Sequence, residues 1–136
     1  MNRLLIAGYG DIGRRVARAL GHWVEVRPLS RSGGNDLDRP ETLRGIAGWA
    51  DVVLHCAPPP AAGDEDPRTA NLLAALEARI LPVRIVYVST SGVYGDCRGA
   101  LVDESRVANP QTARARRAAV LSDGSRRVET WARCWC

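Results

Sequence analysis

The chain opens with an apolar run, Leu4-Leu5-Ile6-Ala7, that stops at Gly8-Tyr9-Gly10-Asp11-Ile12-Gly13. Beyond the glycines, Ile12, Val16, Ala17 and Leu20 recur at helical spacing. The pattern predicts a strand at Arg3–Ala7, a helix at Asp11–Gly21 and a second strand at Trp23–Arg27. A second helix is expected over Pro40–Ile46, with Pro40 in its first turn. The third strand, Asp51–Cys56, ends before Pro58-Pro59-Pro60, because proline cannot continue a ladder. Pro60 to Asp66 reads as a loop. The third helix runs from about Arg68 to Arg79 with Leu72, Leu73, Leu76 and Ile80 facing the sheet. Strand four, Arg84–Val88, is a nearly continuous buried run.

Alternating strands and helices predict an α/β fold, a Rossmann-like domain with a parallel sheet and right-handed crossovers. The expected strand order is 3-2-1-4, with a ligand lying across the carboxyl ends of strands one and four. A doubly wound domain normally has about six strands, and only the four already named are visible. The stretch LSDGSRRVETWARCWC has no clear period. The domain is therefore placed at residues 1–120, with an atypical tail at 121–136 and the C-terminal part of such a fold missing. Strand four would then be an apolar edge, which predicts a homodimer or poor solubility.

Composition narrows the classes. With 136 residues, 46% apolar and 25% charged, the chain reads as a single globular domain. No apolar run approaches the roughly 20 residues that span a bilayer. The first eight residues run straight into the glycine turn and do not read as a signal peptide. A cytoplasmic location is expected. All 19 basic residues are arginine, so no mechanism that needs a lysine is open to this chain. Seven of them lie between Arg106 and Arg133, but no nucleic-acid motif accompanies them, and a solvated helix or tail is the better reading. The C-W-C pair, Cys134 and Cys136, lacks zinc-site spacing, so all four cysteines are read as reduced thiols.

A strand, a glycine turn and a helix in that order give GxGxxG a physical meaning. One of Gly8, Gly10 and Gly13 permits the tight turn, a second lets backbone approach a pyrophosphate, and the third lets helix and strand pack closely. The helix N-terminus at Asp11 and Ile12 offers N–H groups and a positive dipole end to phosphate, with Asp11 itself read as the cap. At the end of strand two, a carboxylate would bind the ribose 2′-hydroxyl of NAD, and an arginine the 2′-phosphate of NADP. The chain places Ser30-Arg31-Ser32 there and no acid, which favours NADP over NAD. Glu25 sits mid-strand. Trp49 is read as a core or lid residue.

Several motifs in order resemble the extended and atypical short-chain dehydrogenases/reductases, the NAD-dependent epimerase/dehydratase group. Asp36-Leu37 resembles that family's acidic-apolar pair at the adenine. His55-Cys56-Ala57-Pro58 stands where its strand ends beside the cofactor. Thr69-Ala70-Asn71-Leu72-Leu73 is similar to its T-x-N-L-L helix. Val88-Ser89-Thr90-Ser91-Gly92-Val93-Tyr94-Gly95-Asp96 resembles the segment bearing the catalytic Ser/Thr, and Asp103-Glu104 the acidic pair before Asn109-Pro110-Gln111. The resemblance covers roughly Met1 to Arg117. It implies an NAD(P)-dependent oxidoreductase, epimerase or dehydratase acting on a sugar nucleotide or another carbonyl compound, with Thr90 polarising the substrate carbonyl. Satisfying backbone groups at the strand end is an equal reading for this hydroxyl cluster. Tyr94 is the second candidate catalytic residue, for proton transfer, with packing or lining the cleft as the alternative reading.

Two departures limit that implication. Ala7 stands where the family has its first glycine. The tyrosine and lysine of YxxxK are expected at 114 and 118, where this chain has Arg114 and Ala118. In the family the tyrosine transfers the substrate proton and the lysine lowers its pKa and holds the ribose. Cofactor binding with little or no turnover is the resulting expectation. The alternative is a non-enzymatic dinucleotide-sensing regulatory module. Of Arg114, Arg116 and Arg117, two are expected to be solvated, although the cluster would also suit an anion.

Overall fold

In the computed structural model, residues 2–103, 105–119, 128–131 and 134–135 are described. Strands β1 (Arg3–Ala7), β2 (Glu25–Leu29), β3 (Val52–His55), β4 (Arg84–Val88) and β6 (Val128–Trp131) form one parallel sheet in the order β2-β1-β3-β4-β6. Helix α1 (Asp11–Leu20) connects β1 to β2, and α2 (Pro67–Glu77) connects β3 to β4. A short β5 (Leu101–Val102) pairs antiparallel with β7 (Cys134–Trp135), and α3 (Ala113–Ala119) follows β5 in the chain. No described helix is long and apolar enough to cross a membrane.

The inner strands are buried on both faces. Leu5 and Ala7 of β1 join Val53, Leu72 and Leu76 on the side of α2, whereas Leu4, Ile6 and Leu54 join Val16 and Ala17 of α1 on the other. Period-2 alternation thus feeds two apolar layers instead of one. On α2, Leu72 and Leu76 are buried and Leu73 packs against the core, but Ile80 lies beyond the helix and is exposed. Trp49 packs on the core from its partly buried position, with the guanidiniums of Arg3 and Arg27 over its ring at 5.8 and 5.6 Å.

The expected order 3-2-1-4 is corrected to β2-β1-β3-β4, and the reason lies in β2. Glu25 N–H donates to Asn2 O, so residues 25, 27 and 29 turn their hydrogen-bonding groups toward β1. Residues 26 and 28 face outward, and residue 28 is proline, with no N–H to give a further strand. β2 is an edge, and the more apolar β3 takes the inner place beside β1.

Two further expectations change. β4 is not an edge, because β6 pairs with it from Ile85↔Val128 to Val88↔Trp131, inside the segment read as an atypical tail. The argument for a homodimer through β4 goes with it. The helix expected at Pro40–Ile46 is a single tight 3-10 turn over Pro40–Leu43, since Arg44 is extended and Gly45 adopts φ +81°. Leu43 and Ile46 are buried nonetheless, so the apolar spacing reported burial and not helix.

Candidate dinucleotide site

The turn after β1 is built on backbone constraints. Gly8 has φ +89°, and a Cβ there would lie 2.4 Å from the Ala57 nitrogen. Its N–H donates to Leu29 O, and its carbonyl accepts from Gly10 N–H, so the turn is tied to β2 and to itself. Gly13 packs against β1, where a Cβ would meet Ile6 Cγ2 at 2.9 Å. Gly10 is different: a Cβ there would meet nothing within 4 Å. Gly10, not Asp11, is the residue at the N-cap of α1, and no side chain caps that end. Asp11 instead pairs with Arg15 at 2.9 Å on the exposed helix surface, so the cap reading of its carboxylate is corrected. The first N–H groups of α1 have no intrahelical partner, and Asp11 and Ile12, which open the helix, line the space above Gly10.

That space is a cavity of about 700 Å³. Gly8, Gly10, Asp11 and Ile12 line it from the β1 turn, Ser30 and Arg31 from the end of β2, and Asp36 and Leu37 from the loop that follows. Cys56, Ala57 and Pro58 line it from the end of β3. Of the cofactor-facing residues read from the sequence, only Gly13 is not at its wall. The cavity lies over the carboxyl ends of β1, β2 and β3, and not over β1 and β4 as expected, because β3 is the strand beside β1.

Each wall has its own local support. Ser30 accepts from Gly33 N–H and caps the short turn Arg31–Gly33. Asp36 Oδ1 accepts from Asp38 N–H, and Asp36 N–H donates to Thr42 Oγ1 at 2.8 Å. Leu37 is buried in the core, and Asn71 Nδ2 of α2 donates to its carbonyl at 2.8 Å. Here the T-x-N-L-L helix meets the loop that carries Asp36-Leu37. Cys56 is half-buried, and desolvation pushes its thiol up to about 11.

At the β3 end, buried His55 and Thr69 and half-buried Asp66 form a polar chain that no sequence motif announces. Thr69 Oγ1 donates to Asp66 Oδ2 at 2.6 Å and lies 2.8 Å from His55 Nε2. Since the hydroxyl has one proton and gives it to Asp66, His55 donates through Nε2–H. Its ring meets Tyr87 edge-on at 5.1 Å. Burial lowers the imidazole to about 4, only partly offset by Asp66 and by the Ala7 backbone, so His55 is neutral at physiological pH.

Thr90 and Tyr94 do not reach the cavity wall. Thr90 caps the turn Ser91–Tyr94 by accepting from Gly92 N–H, the backbone-satisfying role weighed against catalysis. Tyr94 is buried with Val93, Cys97, Val102 and Ala118, so it packs. Arg114 and Arg116 are exposed, as expected of two of the three arginines. Arg117 is 4% exposed, and its guanidinium donates to the Ala61 and Gly63 carbonyls. No group of three or more metal-ligating side chains occurs among the described residues.

No family model and no curated protein matches the chain. Solved structures do. A provisionally assigned NAD-dependent epimerase/dehydratase from Methylobacillus flagellatus superposes with a TM-score of 0.78 at 26% identity, covering 95% of this chain and 52% of that one. This is the fold of the epimerase/dehydratase group. RMD from Pseudomonas aeruginosa, complexed with NADPH, matches with a TM-score of 0.66 at 22% identity over 96% of this chain and 53% of its own. A short-chain dehydrogenase/reductase superfamily protein from Agrobacterium tumefaciens with bound NAD gives 0.69 and 22% over 95% and 47%. The chain thus spans about half the length of these epimerase/dehydratase and dehydrogenase structures. The resemblance carried by the ordered motifs is borne out.

Proposed function

We propose that this chain binds a nicotinamide dinucleotide, prefers NADP to NAD, and turns substrate over slowly or not at all. The observation that carries the reading is the cavity over Gly10. Asp11 and Ile12 at the N-terminus of α1, where helix N–H groups suit a phosphate, line it on one side, and Arg31 lines it on another. Two neighbours of this fold bind NADPH and NAD respectively. Arg31 is exposed and makes no ion pair among the described residues, so a 2′-phosphate has a fixed cation to meet. Low turnover follows from Arg114, which is exposed, and Ala118, which is buried and apolar, at the places where tyrosine and lysine would act. For any residual turnover the substrate class is a sugar nucleotide or another carbonyl compound, as the family resemblance implies.

A fluorescence titration of NADPH and NADH into the purified chain tests both parts. Saturable binding, tighter for NADPH, is expected. Arg31→Ala is expected to weaken NADPH about tenfold and leave NADH nearly unchanged, the usual scale for one charge-assisted contact. An unchanged ratio of the two affinities sinks the NADP preference, and no binding of either sinks the cofactor reading.

A further inference from the structure

One ionic contact braces the cavity wall. Arg68, in the first turn of α2, donates from Nε to Asp38 Oδ1 and from Nη2 to Asp38 Oδ2, each at 2.8 Å. Its Nη1 donates to the Pro58 carbonyl at 3.0 Å. A single guanidinium thus joins the loop after β2 to the loop after β3. Arg68, Asp38 and Arg31 all line the same cavity. Asp38 is held below the usual carboxylate range, chiefly by its hydrogen bonds from Arg68, with Arg31 adding a weaker pull.

Three charges therefore face one space, and only two of them are spoken for. A carboxylate facing a cofactor ribose suits NAD, because it accepts from the 2′-hydroxyl and repels a 2′-phosphate. Asp38 is such a group in kind, but both of its oxygens are engaged by Arg68 in a two-point fork. Arginine cannot release that fork by losing its proton at any relevant pH.

We infer that Arg68 is a positioning residue for cofactor choice: by masking Asp38, it leaves Arg31 free to recognise the 2′-phosphate of NADP. The inference rests on the dinucleotide reading of the cavity and adds a residue that decides its selectivity. Arg68 needs no contact with the cofactor. Its effect runs through the charge that Asp38 presents to Arg31 and to the incoming phosphate.

A charge-exchange cycle on the full-length chain tests this, reading the ratio of NADPH to NADH affinity by titration. Arg68→Gln exposes the carboxylate and is expected to lower that ratio about fivefold, the effect of one unit charge acting through largely aqueous surroundings. Asp38→Asn removes the carboxylate and frees a second cation, so the ratio is expected to rise by about the same factor. The double variant restores the net charge of the wall, and its ratio is expected to return close to the starting value. Opposite shifts in the single variants, cancelling in the double, support the inference. If all three variants lose affinity for both cofactors equally, the fork only braces two loops and the inference is overturned. Should Arg68→Gln fail to fold, a ratio unmoved in Asp38→Asn overturns it alone. Absence of binding by the unaltered chain overturns the cofactor reading itself, and this inference with it.

Discussion

At the scale of single residues, the glycines of the β1 turn do separable work. Gly8 is locked by its positive φ and by the Ala57 backbone, so Gly8→Ala is expected to cost about 2 kcal/mol or more in stability. Gly10 has ordinary φ and open space at its Cβ position. Gly10→Ala should fold within about 0.5 kcal/mol of the parent yet bind NADPH about tenfold more weakly, since the added methyl stands in the phosphate path. Thermal denaturation and cofactor titration of the pair separate the roles; full NADPH affinity in Gly10→Ala would place the phosphates elsewhere. These glycines were legible in the sequence because their chemistry is local, a spacing between a strand and a helix. Arg68 and Asp38 were not, because 30 residues separate them and only the sheet brings them together. The same holds for His55, Thr69 and Asp66: a histidine at a strand end gives no sign of which hydroxyl will meet it.

At the scale of elements, β1 and β4 have the bounds read from apolar runs, and β3 and both long helices come within a residue or two. β2 begins two residues later than expected and ends at Leu29. The order of the sheet differs from the expected one because strand two, expected to stop at Arg27, runs on through Pro28. Pro28, outward-facing in β2, already forbids a strand on that side. The strand β6 could not be read, because the segment around it has no period and its pairing with β4 is set by the place the sheet leaves open. Pro28 also protects the molecule. A strand edge with free donors is a template for another chain. Pro28→Val is expected to restore an outward N–H and to increase self-association, seen as a larger light-scattering mass at high concentration; an unchanged mass would show that the edge is blunted by something else.

At the scale of the whole molecule, the buried histidine couples stability to acidity. His55 titrates near 4 when folded and near 6.5 when unfolded, so between these values the unfolded chain binds more protons. The stability that neutral His55 allows is complete above pH 6.5 and is lost as pH falls toward 4, by up to about 3 kcal/mol. Chemical denaturation at a series of pH values is expected to show this decline. His55→Gln, though less stable at pH 7 because the buried ring's packing on Tyr87 is lost, should show a flatter curve over the same interval. Equal slopes in both proteins would assign the acid lability to the carboxylates.

The place of Cys56 on the cavity wall makes the cavity readable by chemistry alone. With a pKa of about 11, only on the order of one thiol in a thousand is ionised at pH 8, so alkylation there is slow despite the half-open position. A dinucleotide seated across the end of β3 would shut out the reagent altogether. Cys56 would then report occupancy from within, as a mass increment that appears in the empty molecule and vanishes in the filled one.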